Sequence, residues 1–375
     1  MSCVLIGCHK LGGKMSLQFS RIVVCVAVGF GLPMLGLPSP SNATYSSQKS
    51  QQEVEPPTVK DAAAKEDAAK QDDATASKTK QEDEIPIPGL TYSDPVETKW
   101  KMNAIIKGGS GPANNMLITI PIPSNWPEQS VSIVEEDFPP NIARVAYRDL
   151  ESGVRQLVAS IPQIRPREEI TISVTFVVAT SQANAVADPT IFVRPKTNHR
   201  AGKSYLGVGP QINFRNSKLK KQVKEVVAGK DGIWKEIEGI FDWVRDNIEE
   251  TPGDAKNVLD AFQDKIGCAE DKVGLFVAMC RAHKIPARIV WVEGFQRAEF
   301  MLVDEQTQPH WFPCSVAGIR EFGSVTEPVI ILQKGDSIRV PEKEGRQKLV
   351  AEFATCQGKS RPNVRFHRQV LSTDQ

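Results

Sequence analysis

Gly267-Cys268-Ala269-Glu270-Asp271 opens an apolar run that ends at Arg281-Ala282-His283-Lys284-Ile285-Pro286-Ala287-Arg288, followed by Ile289-Val290-Trp291-Val292. This stretch decides the fold. It places a thiol at the start of a helix, a proline stop after the helix, and a strand after the stop. The first N–H groups of a helix lack intrahelical partners and carry partial positive charge. A thiolate at Cys268 is favoured there, and its pKa is expected to fall. Glu270 and Asp271 suit the helix terminus but oppose a neighbouring thiolate. Leu275, Phe276, Met279 and Cys280 form the expected buried face, which makes Cys280 a small core residue rather than a second nucleophile. His283 falls in the last turn, where a surface cap suits the dipole.

Helical periodicity extends upstream. Leu219, Val223, Val226 and Val227 form one stripe. Ile233, Trp234, Ile237, Ile240, Phe241, Val244 and Ile248 form a second, with Asp231 as its expected cap. Val258, Leu259 and Phe262 predict a third, shorter helix capped near Asp254. Downstream, strands are predicted at 288–292, 299–303, 310–312, 329–333 and 337–340. Helices followed by short strands imply an α+β unit with its helices packed on an antiparallel sheet.

The helix start and the exit Arg-Ala-His-Lys-Ile-Pro-Ala-Arg resemble the transglutaminase-like superfamily, which has a papain-like thiol fold. The resemblance covers about residues 215–320. It implies a nucleophile at Cys268, a histidine four residues before a glutamate on a following strand, and an aspartate one strand later. A histidine would take the thiol proton and return it to the leaving group, and the acid would orient it. Glu299 and Phe300 match the glutamate and its aromatic neighbour. The histidine position is then Phe295, which accepts no proton. Trp311-Phe312-Pro313-Cys314-Ser315 matches the run that leads to the acid, so Ser315 stands where the aspartate is expected. No histidine occurs from 284 to 309. His310 lies about 15 Å from Ser315 along a strand, too far to substitute unless the sheet bends sharply. The resemblance therefore implies a degenerate triad. Animal transglutaminases use calcium, but no Asp-x-Asp-x-Asp-Gly loop occurs here, and no cofactor or metal is expected.

The remaining segments frame this unit. Residues 92–195 read as all-β. Ile170, Ile172, Val174 and Phe176 alternate with Thr171, Ser173, Thr175 and Val177, and shorter strands are predicted at 116–122, 131–134, 143–147 and 154–161. Turn signals between them predict a sandwich-like domain over 89–200, ahead of a transglutaminase-like domain over 201–345 and an extension over 346–375. Trp100 and Trp126 are read as core or turn residues. Residues 44–88 form a polar tract too poor in apolar side chains to fold, and read as a linker. Residues 1–43 read as a signal peptide: Lys10, Lys14 and Arg21 precede an apolar run from 22 to 37, and small residues follow.

The net charge is +1, which implies no nucleic-acid partner. Gly29, Gly31 and Pro33 in the apolar run favour a cleaved signal over a stable membrane span. Cys268, Cys280, Cys314 and Cys356 remain in the mature chain and do not form a disulfide framework. Together these features predict an exported protein, periplasmic, surface-bound or secreted. Its thiol domain is catalytically impaired and serves as a binding or structural module for a protein or peptide. The alternative is a thiol-dependent amidase, protease or acyl-transferase that uses Cys268 on protein amides. A third reading makes Cys268 a redox-responsive thiol.

Overall fold

A computed structural model describes residues 89–371, apart from 141, 143 and 359. The proposed signal and linker lie outside these residues. The first half is a sandwich of β1 (Val96–Lys107), β2 (Ala113–Ile122), β3 (Gln129–Asp137), β4 (Arg144–Asp149), β5 (Arg155–Ile164) and β6 (Glu169–Thr180). The expected face of β6 is the buried one: Ile170, Ile172, Val174 and Phe176 pack in the sandwich core. β1, its neighbour in the same sheet, adds Trp100, Met102, Ala104 and Ile106 to that face, all fully buried. Its Lys and Asn residues alternate with these, as period two requires.

Four helices follow: α1 (Ser217–Val227), α2 (Ile233–Asn247), α3 (Val258–Asp264) and α4 (Ala269–Ala282). Asn216 caps α1 by accepting from the N–H groups of Lys218 and Leu219. Two expected caps fall elsewhere. The N-cap of α2 is Gly232, at φ +82°, not Asp231. That of α3 is Asn257, whose side chain accepts from Leu259 N–H, so Asp254 is too early. Short strands β7 (Glu249–Glu250) and β8 (Ile266–Gly267) pair in parallel just before α4.

The second half continues with β9 (Ala287–Val292), β10 (Gln296–Val303), β11 (Pro309–Ser315), β12 (Glu321–Phe322) and β13 (Ile331–Lys334). They form one antiparallel sheet in the order β12-β11-β10-β9-β13. Ala287, Ile289, Ala298, Phe300, Leu302, Phe312 and Cys314 face the helices, and α4 sits in this core. Helices and sheet enclose α4, so every residue from Asp271 to Arg281 is buried. This explains why α4 shows a continuous apolar run rather than a stripe.

The chain then crosses back. β14 (Ile338–Arg339) pairs with β15 (Arg346–Gln347), and β16 (Phe353–Gln357) and β17 (Asn363–Leu371) complete the sandwich. The two sandwich sheets run β17-β1-β6-β3 and β16-β2-β5-β4. Residues 353–371 therefore belong to the sandwich, not to an extension, and the unit that begins the described chain is closed by its end. The halves also join at the edge of the helix-backed sheet. Gln129 donates to the Ile331 carbonyl at 2.9 Å and accepts from the Ile331 N–H at 2.6 Å. One side-chain amide thus satisfies an edge strand that would otherwise be open.

Candidate functional site

Cys268 is the N-cap residue of α4. Its own N–H donates to the Asp271 carboxylate at 2.9 Å, and the other Asp271 oxygen accepts from Lys256 N–H at 2.8 Å. Asp271 thus ties the helix start to the loop before α3. Gly267 is required beside it, because a Cβ there would lie 2.8 Å from the Asp271 Cβ. The sulfur is partly exposed and lies against the first amides of the helix. Those amides favour a thiolate, but they do not prevail. Burial of the sulfur raises the thiol pKa first, and the Asp271 carboxylate adds to the rise, so the group sits above the ordinary thiol range.

The hairpin that follows brings the strand ends to this terminus. α4 is about 21 Å long, and β9 runs back along it for about 20 Å. The β9–β10 turn therefore returns to the N-terminal half of α4. Gly294, at φ +93°, makes that turn. Phe295 follows it, is 44 % exposed, and its ring lies 5.2 Å from the Arg297 guanidinium. Arg297 and Glu299 share the sheet face opposite α4. Gln296, next in the chain, shares the α4 face with Ala298 and Phe300.

Ser315 ends β11 at the same end of the sheet. Arg245 of α2 donates to the carbonyls of Ser315 at 3.1 Å and Val316 at 3.0 Å. Lys272, in the first turn of α4, donates to the Arg245 carbonyl at 3.4 Å. This relay links the Ser315 strand end to the turn that begins at Cys268. Ser315 carries no charge, but its hydroxyl donates to the Glu321 carboxylate at 2.6 Å. Burial raises the Glu321 carboxyl pKa, and the Ser315 and Thr326 hydrogen bonds outweigh it, so the group stays ionised below the usual range.

Glu299, which anchored the resemblance, faces away from the thiol. It accepts from Arg288 at 2.6 Å and from Lys334 at 2.6 Å. Burial pushes its carboxyl up, but the two cations outweigh burial and hold it below the ordinary range. Lys334 also pairs with Glu128 of the sandwich, and Arg288 stacks 3.9 Å from the Trp311 ring centroid. The cluster joins the sheet to the sandwich and takes no part around the sulfur.

The described histidines are engaged elsewhere. His310 bonds Asp304 at 2.8 Å, and on β11 it lies opposite Leu302, far along the strand from Ser315. His283 bonds Glu236 at 2.6 Å at the other end of α4. His199 contacts the Thr307 carbonyl at 3.2 Å. His367 pairs with Asn103 in the sandwich. The groups that act on the Cys268 thiol are Asp271 and Glu270. Cys280 and Cys314 are buried in the helix-side core, whereas Cys356 packs against the sandwich. Among the described residues no cluster of His, Cys, Asp and Glu could hold a metal ion.

Residues 220–316 match the profile of the transglutaminase-like superfamily and form a transglutaminase-like domain. A candidate cysteine protease from Cytophaga hutchinsonii, solved at 1.9 Å, superposes with a TM-score of 0.52 at 16 % identity. The match covers 76 % of this chain and 94 % of that one, so the likeness of fold includes the β-rich part. At that identity it is a likeness of fold alone. A candidate protease from Parabacteroides distasonis aligns over 59 % of this chain and 47 % of its own, at 10 % identity and a TM-score of 0.25, too low to support an argument. No curated protein sequence matches the chain.

Three residues at this end escaped the sequence reading. Arg245 and Glu321 reach the site only through tertiary contact, so no local pattern announces them. Gln296 could have been found: period-two alternation from Ala298 and Phe300 puts it on the helix face.

Proposed function

We propose that this chain is an exported protein whose transglutaminase-like domain is catalytically impaired and acts as a binding or structural module. One observation carries the reading: the described histidines are engaged with Asp304, Glu236, the Thr307 carbonyl and the Asn103 strand pairing, and the groups acting on the Cys268 thiol, whose pKa burial pushes up, are Asp271 and Glu270. A thiol needs a base to become a nucleophile in acyl transfer. Loss of the base from such a unit costs several powers of ten in rate. Phe295 and Ser315, at the positions where the resemblance expects His and Asp, supply neither a base nor a charge. Export is supported by the charged flank, apolar run and small-residue exit within residues 1–43. Among the described residues no helix is long and apolar enough to cross a membrane.

The test is amide hydrolysis and amine incorporation on a glutamine-containing protein such as casein, with Cys268→Ala as control. The proposal expects equal, background rates. Turnover by the unmodified chain that Cys268→Ala abolishes would overturn it. A second reading, a thiol-dependent amidase, protease or acyl-transferase acting through Cys268, draws on the partial exposure of this sulfur at a helix N-terminus.

A further inference from the structure

The sheet end beside α4 holds more polar groups than it satisfies. Trp291 of β9 and Gln296 of β10 are directly opposed across the hairpin. Trp291 packs in the helix-side core, and Gln296 shares the face of Ala298, so both point toward α4. Each is only 8 % exposed. The Trp291 Nε1 and both Gln296 amide atoms, Oε1 and Nε2, are buried without a hydrogen-bond partner. Opposed residues hold their Cβ atoms within about 5.5 Å, so one indole donor, one amide donor and one amide acceptor form a single cluster. Leaving such a buried group without a partner is costly, because its hydration is lost and not replaced. An apolar pair would avoid that cost, and native proteins keep few such groups.

The cluster lies under a strap. The Lys348 amine sits 5.9 Å from the Trp291 ring centroid, and Leu349 packs on the same core. Gln333 ties the strap to the sheet edge. Gln333 donates to the Lys348 carbonyl at 2.9 Å and accepts from Val350 N–H at 2.8 Å. Residues 343–346 before it are exposed.

We propose that the Trp291–Gln296 pair is the polar floor of a site for an extended peptide, and that the Lys348–Leu349 strap lies across it until a peptide enters. The inference rests on reading the Cys268 end as a binding site. The ligand class follows from the donors and acceptor. Two N–H groups suit a carbonyl oxygen, and one oxygen suits an N–H, so the pair matches a secondary amide. A carboxylate would leave the Gln296 oxygen unmade, and a cation would meet two donors. Phe295, 44 % exposed in the adjoining turn, gives the peptide side chains an apolar contact. No bond is made or broken.

The test is NMR on the full ¹⁵N-labelled chain, following the Trp291 indole N–H (assigned through Trp291→Phe) and the Gln296 amide. The probes are N-methylacetamide and acetyl-tetraalanine amide, with sodium acetate as control. Both amide probes are expected to shift the two signals saturably, and acetate is not. Gln296→Leu removes two hydrogen bonds and is expected to weaken peptide binding about tenfold or more. Leu349→Gly loosens the strap and is expected to tighten binding. An indole signal that neither amide moves, or that acetate moves equally, overturns the proposal, as does Leu349→Gly leaving affinity unchanged. Cleavage of the peptide that Cys268→Ala abolishes, seen by mass in the same sample, would instead overturn the reading of an impaired thiol site and leave this one standing.

Discussion

Replacing Glu299 with Gln tests how the two halves of the chain are joined. The change keeps shape and removes one negative charge between Arg288 and Lys334, each 2.6 Å from it. Removing one partner of a buried ion pair costs about 3–5 kcal/mol, because the remaining charge stays buried. Two features place Glu299 near the lower bound. Lys334 keeps Glu128, and Arg288 keeps its stack on Trp311. The expected loss is therefore about 3 kcal/mol. With a urea slope of about 3 kcal/mol/M for a chain of this size, the midpoint falls by about 1 M. The assay is urea unfolding followed by circular dichroism and by tryptophan fluorescence. The acid limb gives a second readout. The folded-state pKa of Glu299 is depressed, so its contribution is fully present above the ordinary value of 4.5 and is lost as pH falls below it. Glu299→Gln should flatten stability over that range. A midpoint shift below about 0.2 M, with the acid limb unchanged, would refute the claim that this cluster bears on stability.

Other outcomes follow from the same geometry. Cys268 should react with iodoacetamide more slowly at pH 7 than free cysteine, read by peptide mass, since its thiol pKa is raised; faster labelling would contradict the protonated state. Asp271→Asn should speed that labelling by removing the carboxylate, while lowering stability by about 1 kcal/mol through the weakened cap. Phe295→His alone should leave amide hydrolysis at background, because its neighbour is the Arg297 guanidinium rather than a carboxylate. The His283 imidazole pKa is depressed by burial and by Arg194. Its contribution to stability should therefore decline as pH falls below 6.5, and His283→Gln should remove that decline, as measured by thermal unfolding across pH.

Local pattern was enough for α4 and for β6, because each reports its own environment. The exit from Arg281 to Arg288 marks a helix end, a stop and a strand within eight residues. Ile170 to Phe176 alternate cleanly. No strand was expected at β1: Trp100, Met102, Ala104 and Ile106 alternate, but Lys101 and Asn103 between them break the apolar run. β16 and β17 were not legible. Their alternate positions are polar, and only pairing with β2 and β1 makes them strands.

The site divides in the same way. The sequence alone determined that a thiol opens α4 and that neither Phe295 nor Ser315 can serve as a base, since residue chemistry does not depend on packing. It also fixed the order of helix, hairpin and strand that carries these positions to one end of the domain. Tertiary structure alone decided the state of the sulfur. A helix terminus by itself would lower its pKa, whereas burial and an Asp271 carboxylate tied to the Lys256 loop raise it. It also decided that Glu299 serves the joint with the sandwich and that Glu321 sits on Ser315. Each of these depends on which distant segment packs against a given face, and a local residue pattern does not carry that information.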